Sequence, residues 1–233
     1  MFISLGFWQL DRADEKMALA AALQQRASAQ PVAWQDIAAA EGGVAGDAIG
    51  NMTRVSVTGE YQNGISFLVL FQFFQGRAGY ELVTPFKPES GGPLILVSRG
   101  WLTASTGTER PAVPDVAGTH TIQAQLFVPE QQIPPAEVSD TDWPVRVPRL
   151  SVEQAGRLLG EPVYPYVLRL EANQPGVQSR HWAPPRIETR GHFAYAVQWF
   201  GIALLVLIAA VFYASNLAAI LSSDSSERSS AQR

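Results

Sequence analysis

Residues 53–74 read TRVSVTGEYQNGISFLVLFQFF. Val55 and Val57 alternate with Arg54, Ser56 and Thr58, and an apolar residue at every second position marks a half-buried strand. Asn63-Gly64 separates this run from the next, ISFLVLFQFF. That dipeptide is a strong hairpin signal, because both residues tolerate the positive φ of a tight reversal. The same texture continues in GYELVTPF (79–86), PLILVSRGWL (93–102), THTIQAQLFV (119–128) and YPYVLRLE (164–171). Gly76, Gly79 and Gly91-Gly92-Pro93 punctuate the series. Short strands joined by Gly/Pro turns predict a mainly β fold, an antiparallel sheet or small barrel, rather than a parallel α/β architecture.

One helix interrupts the strands. In SVEQAGRLLG, Ser151 and Gln154 have the spacing of a capping box and Gly160 supplies a C-terminal stop. QQIPPAEVSDTDWPVRVP (131–148) and NQPGVQSRHWAPPRIETR (173–190) read as loops from their proline and polar content. Asp140 and Asp142 fall in the first and are expected to be solvated.

Both ends of the chain differ from the middle. Gly191 to Ser223 carries no Asp, Glu, Lys or Arg, ample for the roughly 20 apolar residues that a membrane helix needs. Phe193, Tyr195, Trp199 and Phe200 lie near its start and Phe212 and Tyr213 near its end, as in aromatic belts at the two bilayer surfaces. At the other end MFISLGFWQL is mostly apolar and DRADEK sharply charged. Ten residues cover only about 15 Å as a helix, so the segment reads as the last turns of a first membrane helix beginning upstream, the alternative being a short amphipathic start to a soluble helix. It has neither a basic n-region nor a small-residue cleavage site and does not read as a signal peptide. The alanine-rich run that follows stops at Pro31. The expected layout is a membrane-helix remnant at 1–10, a juxtamembrane helix at 11–30, a β-rich extramembrane domain at 31–190, a transmembrane helix at 191–222 and a polar tail at 223–233.

Composition removes several classes of function. The net charge is -4 with no basic region, so nucleic acid is not an expected partner. There is no cysteine, which excludes disulfides, thiolate metal sites and covalent c-type haem. Ser98, Ser105 and Ser139 lack a nucleophile motif, and no phosphate-cradling glycine loop is present. No catalytic constellation emerges, and the chain does not read as an enzyme. Arg99, ending an apolar strand in SRGW, is expected to pair with a carboxylate or a carbonyl.

Two helical stripes carry the remaining polar chemistry. His192, Tyr195 and Trp199 fall at i, i+3 and i+7 at the start of the apolar helix. A neutral imidazole there can ligate haem iron with aromatic faces covering the porphyrin, or it can be an interfacial histidine among belt aromatics. Trp8, Arg12 and Lys16 share a face at i, i+4 and i+8. That face either grips an anionic ligand or is a solvated juxtamembrane stripe.

LGFWQLDRADEK (5–16), GRAGYELVTPF (76–86), LILVSRGWL (94–102) and HFAYAVQWFG (192–201) occur in that order. Together they resemble the surfeit locus protein 1 family, the cytochrome c oxidase assembly factors. The resemblance implies two membrane helices flanking a β domain in the periplasm or mitochondrial intermembrane space. It implies a role in delivering haem a to the catalytic subunit of the oxidase, with haem a synthase as a further candidate partner and membrane lipid around the anchor. By the same resemblance His192 is the axial haem ligand and Tyr195 and Trp199 are wall residues. Trp8 and Arg12 complete the candidate set, Arg12 or Lys16 facing the propionates if the two helices are adjacent. Arg180, Arg186 and Arg190 precede the last helix while only Arg228 and Arg233 follow it. That distribution alone would put the β domain in the cytoplasm, but the first helix usually dominates orientation. The competing readings are a cofactor-free scaffold for oxidase subunits and a membrane enzyme acting on a lipid or quinone.

Overall fold

The computed structural model describes residues 1–39, 50–104, 110–128, 138, 140, 142–182 and 190–230. The chain divides into two units, Met1–Ala21 with Pro185–Arg233 and Ala22–Pro184. Helix α1 (Phe2–Ser28) begins in the first and ends in the second. The larger unit then contains β1 (Val32–Ala33), α2 (Trp34–Ala39), β2 (Arg54–Tyr61), β3 (Phe67–Phe74), β4 (Arg77–Pro88), β5 (Leu94–Thr103), β6 (Thr119–Phe127), β7 (Val145–Val147), α3 (Val152–Leu159) and β8 (Val163–Leu170). Helix α4 (Arg190–Ser230) belongs to the smaller unit.

All six runs read as strands are strands, and five of them close a barrel in the order β2-β6-β8-β5-β4, with β4 returning to β2. Within it only β5 and β8 run parallel; the other neighbours are antiparallel. The length of β4 makes closure possible. Its first half pairs with β3 through Arg77–Val83, and its far end, Phe86–Pro88, pairs with β2. Gly59 sits at that seam, where a Cβ would lie 2.1 Å from the Lys87 carbonyl oxygen. Glycine at this position is what lets the two backbones meet.

The alternation seen in residues 54–61 has a physical destination. Val55, Val57 and Tyr61 enter the barrel core with Phe86, Ile95 and Ile122. A second core lies on the outer face, where Phe67, Val69, Val145 and Ala155 pack with Leu96 and Val167. Strand β5 is therefore buried on both sides, Ile95 and Val97 facing one core and Leu96 the other. That explains why its sequence is a continuous apolar run rather than an alternating one. Helix α3 has the cap read from sequence: Ser151 Oγ accepts from Gln154 N–H, and Gly160 is left-handed at φ 69°.

Three readings need correction. Asn63-Gly64 forms a turn, with Gly64 at φ 78°, but β2 and β3 are not paired neighbours. Asn63 instead holds Val116 through Nδ2 to its carbonyl and Oδ1 from its amide, both at 3.0 Å. The tight hairpin is the next one, between β3 and β4, where Gln75 and Gly76 both have positive φ. The stretch 131–148 was expected to be loop throughout, yet Val145–Val147 adds β7 to β3 in parallel. Only tertiary pairing distinguishes such a three-residue strand, and the same holds for β1 and the short α2.

The third correction concerns Asp140, which is an ion-paired group and not a solvated one. Its carboxylate accepts from Arg146 Nε at 2.8 Å and Nη2 at 2.9 Å and lies 3.3 Å from Arg110. Those contacts hold the Asp140 carboxyl well below the usual carboxylate range, Arg146 being the main cause. A depressed folded value means the stabilisation is present above the unfolded value, about 3.9, and is lost as pH falls through the folded one. Asp140→Asn should therefore lower the stability of the β domain by about 1–2 kcal/mol at pH 7. Thermal unfolding in detergent at pH 7 and pH 3 checks this, with the gap to wild type expected to narrow at the lower pH.

Candidate functional site

The smaller unit is built on one matching stripe per helix. Phe2, Gly6, Gln9 and Ala13 recur at helical spacing on α1, and His192, Ala196 and Trp199 do so on α4. Small residues allow the approach. Gly6 and Ala13 are buried on α1, and a Cβ at Gly6 would meet the Phe200 ring at 2.5 Å. Phe2 stacks on Trp199 with centroids 5.9 Å apart, and Phe7 meets Phe200 edge-on at 5.4 Å. Gln9 opposes His192, its Oε1 lying 2.8 Å from Nδ1. Both helices step seven residues between the Gln9–His192 contact and the Phe2–Trp199 contact, so they run antiparallel here.

The Gln9 contact defines what His192 can do. An amide oxygen accepts, so Nδ1 carries the proton and donates, which leaves the Nε2 lone pair in the neutral ring. A histidine whose distal nitrogen is held by a second side chain has the form of an oriented metal ligand. Trp199 offers one face only, the other being covered by Phe2. Tyr195 is 55% exposed on the flank of the same helix. Trp8 and Arg12 are turned towards each other: the Arg12 guanidinium lies 5.7 Å from the Trp8 ring centroid and binds Glu15 at 2.7 Å. The structure thus brings His192 and Trp199 together with Gln9 and Phe2, and groups Trp8 and Arg12 separately with Glu15. Sequence reading missed Gln9, although the equal seven-residue spacings of Phe2–Gln9 and His192–Trp199 were there to be matched.

The β domain has its own buried polar centres. Arg99 is 1% exposed, and it pairs with carbonyls, as its position at the end of an apolar strand suggested. Its Nε donates to Gly176 O at 2.9 Å and Nη2 to Pro114 O at 2.7 Å, and the guanidinium covers Tyr61. Burial pulls the Arg99 pKa down and pushes the Tyr61 hydroxyl up; that hydroxyl donates to Pro175 O. Nearby, Glu81 accepts from Ser98 Oγ, and its other oxygen lies 4.0 Å from His181 Nε2. Burial lowers the His181 pKa, with Glu81 opposing the shift. Among the described residues no group of three or more acidic or histidine side chains is arranged to hold a metal ion. Ser105 and Ser139 lie outside the described residues.

Gly191–Asn216 is long and apolar enough to cross a membrane, and almost none of it is buried within the protein. A family model described as the SURF1 family matches residues 1–204. The chain belongs to the SURF1 family. The match runs from the start of α1 into α4 and includes both Gln9 and His192. A SURF1-like protein of Rickettsia felis is 24% identical over 236 residues, covering 94% of this chain and 95% of that one. Another, from Rickettsia conorii, is 23% identical over 237 residues, covering 94% and 89%. A SURF1-like protein of Mycobacterium tuberculosis is 26% identical over 162 residues, covering 69% of this chain and 59% of the relative. The chain therefore aligns with about three fifths of the mycobacterial SURF1-like protein's length.

Proposed function

We propose that this SURF1-family chain is a membrane-anchored assembly factor for cytochrome c oxidase that binds haem a and passes it to the catalytic subunit. It acts without catalysis of its own and has haem a synthase as a candidate donor. Family membership supports the assembly role, and the exposed apolar helix α4 supports an anchor in a bacterial or mitochondrial inner membrane. The β domain then stands in the periplasm or intermembrane space, as the family resemblance implies.

One observation carries the haem reading: the Gln9–His192 hydrogen bond, which holds the imidazole through Nδ1, while Nε2 makes no hydrogen bond among the described residues. Bound haem would supply an iron that accepts one axial nitrogen. Gln9 orients the ring that donates it, and Phe2 braces Trp199. Tyr195 gives apolar cover from the exposed flank, while Arg12, over the Trp8 ring, stands as the cationic edge, freed for a propionate when it leaves Glu15. A single histidine suits cargo that must be released.

A cofactor-free scaffold remains the competing reading, favoured by the contacts that Arg12 and one face of Trp199 already make. Deleting the gene separates the two. Haem delivery predicts oxidase subunits with reduced haem a while total haem synthesis is unchanged. Loss of oxidase protein at normal haem occupancy would favour the scaffold, and normal oxidase haem content would contradict the proposal.

A further inference from the structure

The β3–β4 hairpin extends the sheet past the closed barrel, since β3 is not one of the five barrel strands. Phe71 and Phe73 are 75% and 72% exposed on the domain surface. Phe71 has φ 59°, left-handed for a non-glycine residue, at the point where the β3–β4 register shifts between Val69 and Gln72. A bulge of this kind re-aims side chains at the end of a hairpin. The segment from Gln62 to Tyr80 contains no acidic residue and one cation, Arg77 at the tip. Two exposed phenylalanines beside an arginine match an interfacial lipid contact, rings in the acyl boundary and cation among anionic headgroups.

Trp101 links the hairpin to the segment that leaves for α4. Its Nε1 donates to Gln72 O at 3.2 Å, its ring lies 5.7 Å from Phe74, and its backbone N–H donates to Ser179 O at 2.6 Å. Gly79 makes room for that ring, since a Cβ there would sit 2.5 Å from it. The hairpin is thus fastened to Ser179, and α4 begins at Arg190. The intervening chain can reach at most about 37 Å when fully extended. If α4 is a membrane anchor, Ser179, to which Trp101 of the domain is bonded, is tied to that anchor by no more than this length of chain.

We infer that the β3–β4 hairpin is a membrane-contacting finger, with Phe71 and Phe73 entering the interface of an anionic bilayer and Arg77 pairing with its headgroups. This rests on the reading of α4 as a span, and the test separates the two. Because the chain has no cysteine, single-cysteine variants of the full chain can be labelled uniquely with an environment-sensitive fluorophore. They are then reconstituted in phosphatidylcholine–phosphatidylglycerol vesicles carrying nitroxide lipids. Labels at Phe73→Cys and, as a second reporter, Arg77→Cys should be quenched by the lipid nitroxide about twofold or more beyond a label at Glu89→Cys, and shielded from aqueous iodide. A label at Leu205→Cys reports the span. If Leu205 is lipid-buried while positions 73 and 77 are as open to iodide as position 89, the finger is overturned, the anchor stands, and the tip is left to a protein partner. If Leu205 is also open to iodide, the anchor reading itself fails and the finger with it.

Discussion

His192→Ala is expected to remove co-purified haem a from the detergent-extracted chain while leaving expression and membrane insertion unchanged. The proposed axial nitrogen is Nε2, and alanine provides no substitute for it. The packing consequences are small, because His192 is only partly buried and its described polar contact is Gln9. Small residues and ring contacts also join the two helices and remain when the imidazole is removed. Gln9 gives the sharper version of the test. Removing a side chain that orients a metal-binding histidine typically weakens binding about 10–100-fold, so Gln9→Ala should reduce haem per protein by an amount in that range. Gln9→Glu keeps an acceptor on Nδ1–H and should retain most of the haem. Visible absorption spectra of the four purified proteins decide it. A wild-type spectrum in His192→Ala ends the ligand assignment and leaves His192 as an interfacial residue.

Arg99→Leu should cost the β domain about 1.5–3 kcal/mol, the range for losing hydrogen bonds made by a charged donor. The substitution leaves two carbonyls at partly buried positions, Gly176 O and Pro114 O, without the donors that now reach them at 2.9 and 2.7 Å. It also removes the planar group lying over Tyr61. These contacts fasten the loops around Pro114 and Gly176 onto the barrel, so both loops should loosen together. Domains are stable by only about 5–15 kcal/mol, and the loss is a large fraction of that. Arg99→Lys should recover part of it, since one ammonium can reach one carbonyl but cannot fork between two. Limited proteolysis and thermal unfolding of the detergent-solubilised chain measure the effect. A midpoint within a degree or two of wild type for Arg99→Leu would show that the network contributes little.

Much of the fold was legible because strand periodicity is local. The alternation through Val55 and Val57, the doubly apolar run at Leu94–Val97 and the Ser151–Gly160 cap signals each depend only on neighbours in the chain. Residue type together with position also suggested that Arg99 would need a carbonyl or a carboxylate. The candidate site was half legible. Its histidine and aromatics stand out because a polar ring at the head of an uncharged helix demands a reason, and the family resemblance supplies one. Gln9 did not stand out, since nothing local distinguishes a glutamine that holds a histidine 183 positions away from one that faces solvent.

The amino-acid sequence by itself determined the apolar helix from Gly191, the strand-rich middle and the family. Each follows from composition, period or ordered motifs, which tertiary context does not have to arbitrate. Tertiary structure alone decided which strands are neighbours. Asn63-Gly64 encodes a reversal of direction but not the partner of the strand that follows, and β2 closed the barrel against β4 and β6 instead of pairing with β3. It likewise turned Asp140 from a loop carboxylate into the centre of two arginine contacts. It also set Gln9 against Nδ1 of His192 and turned Arg12 towards Glu15. Pairings between distant residues are fixed by the free energy of the whole packed arrangement, in which each contact is available only once the others have closed the intervening chain.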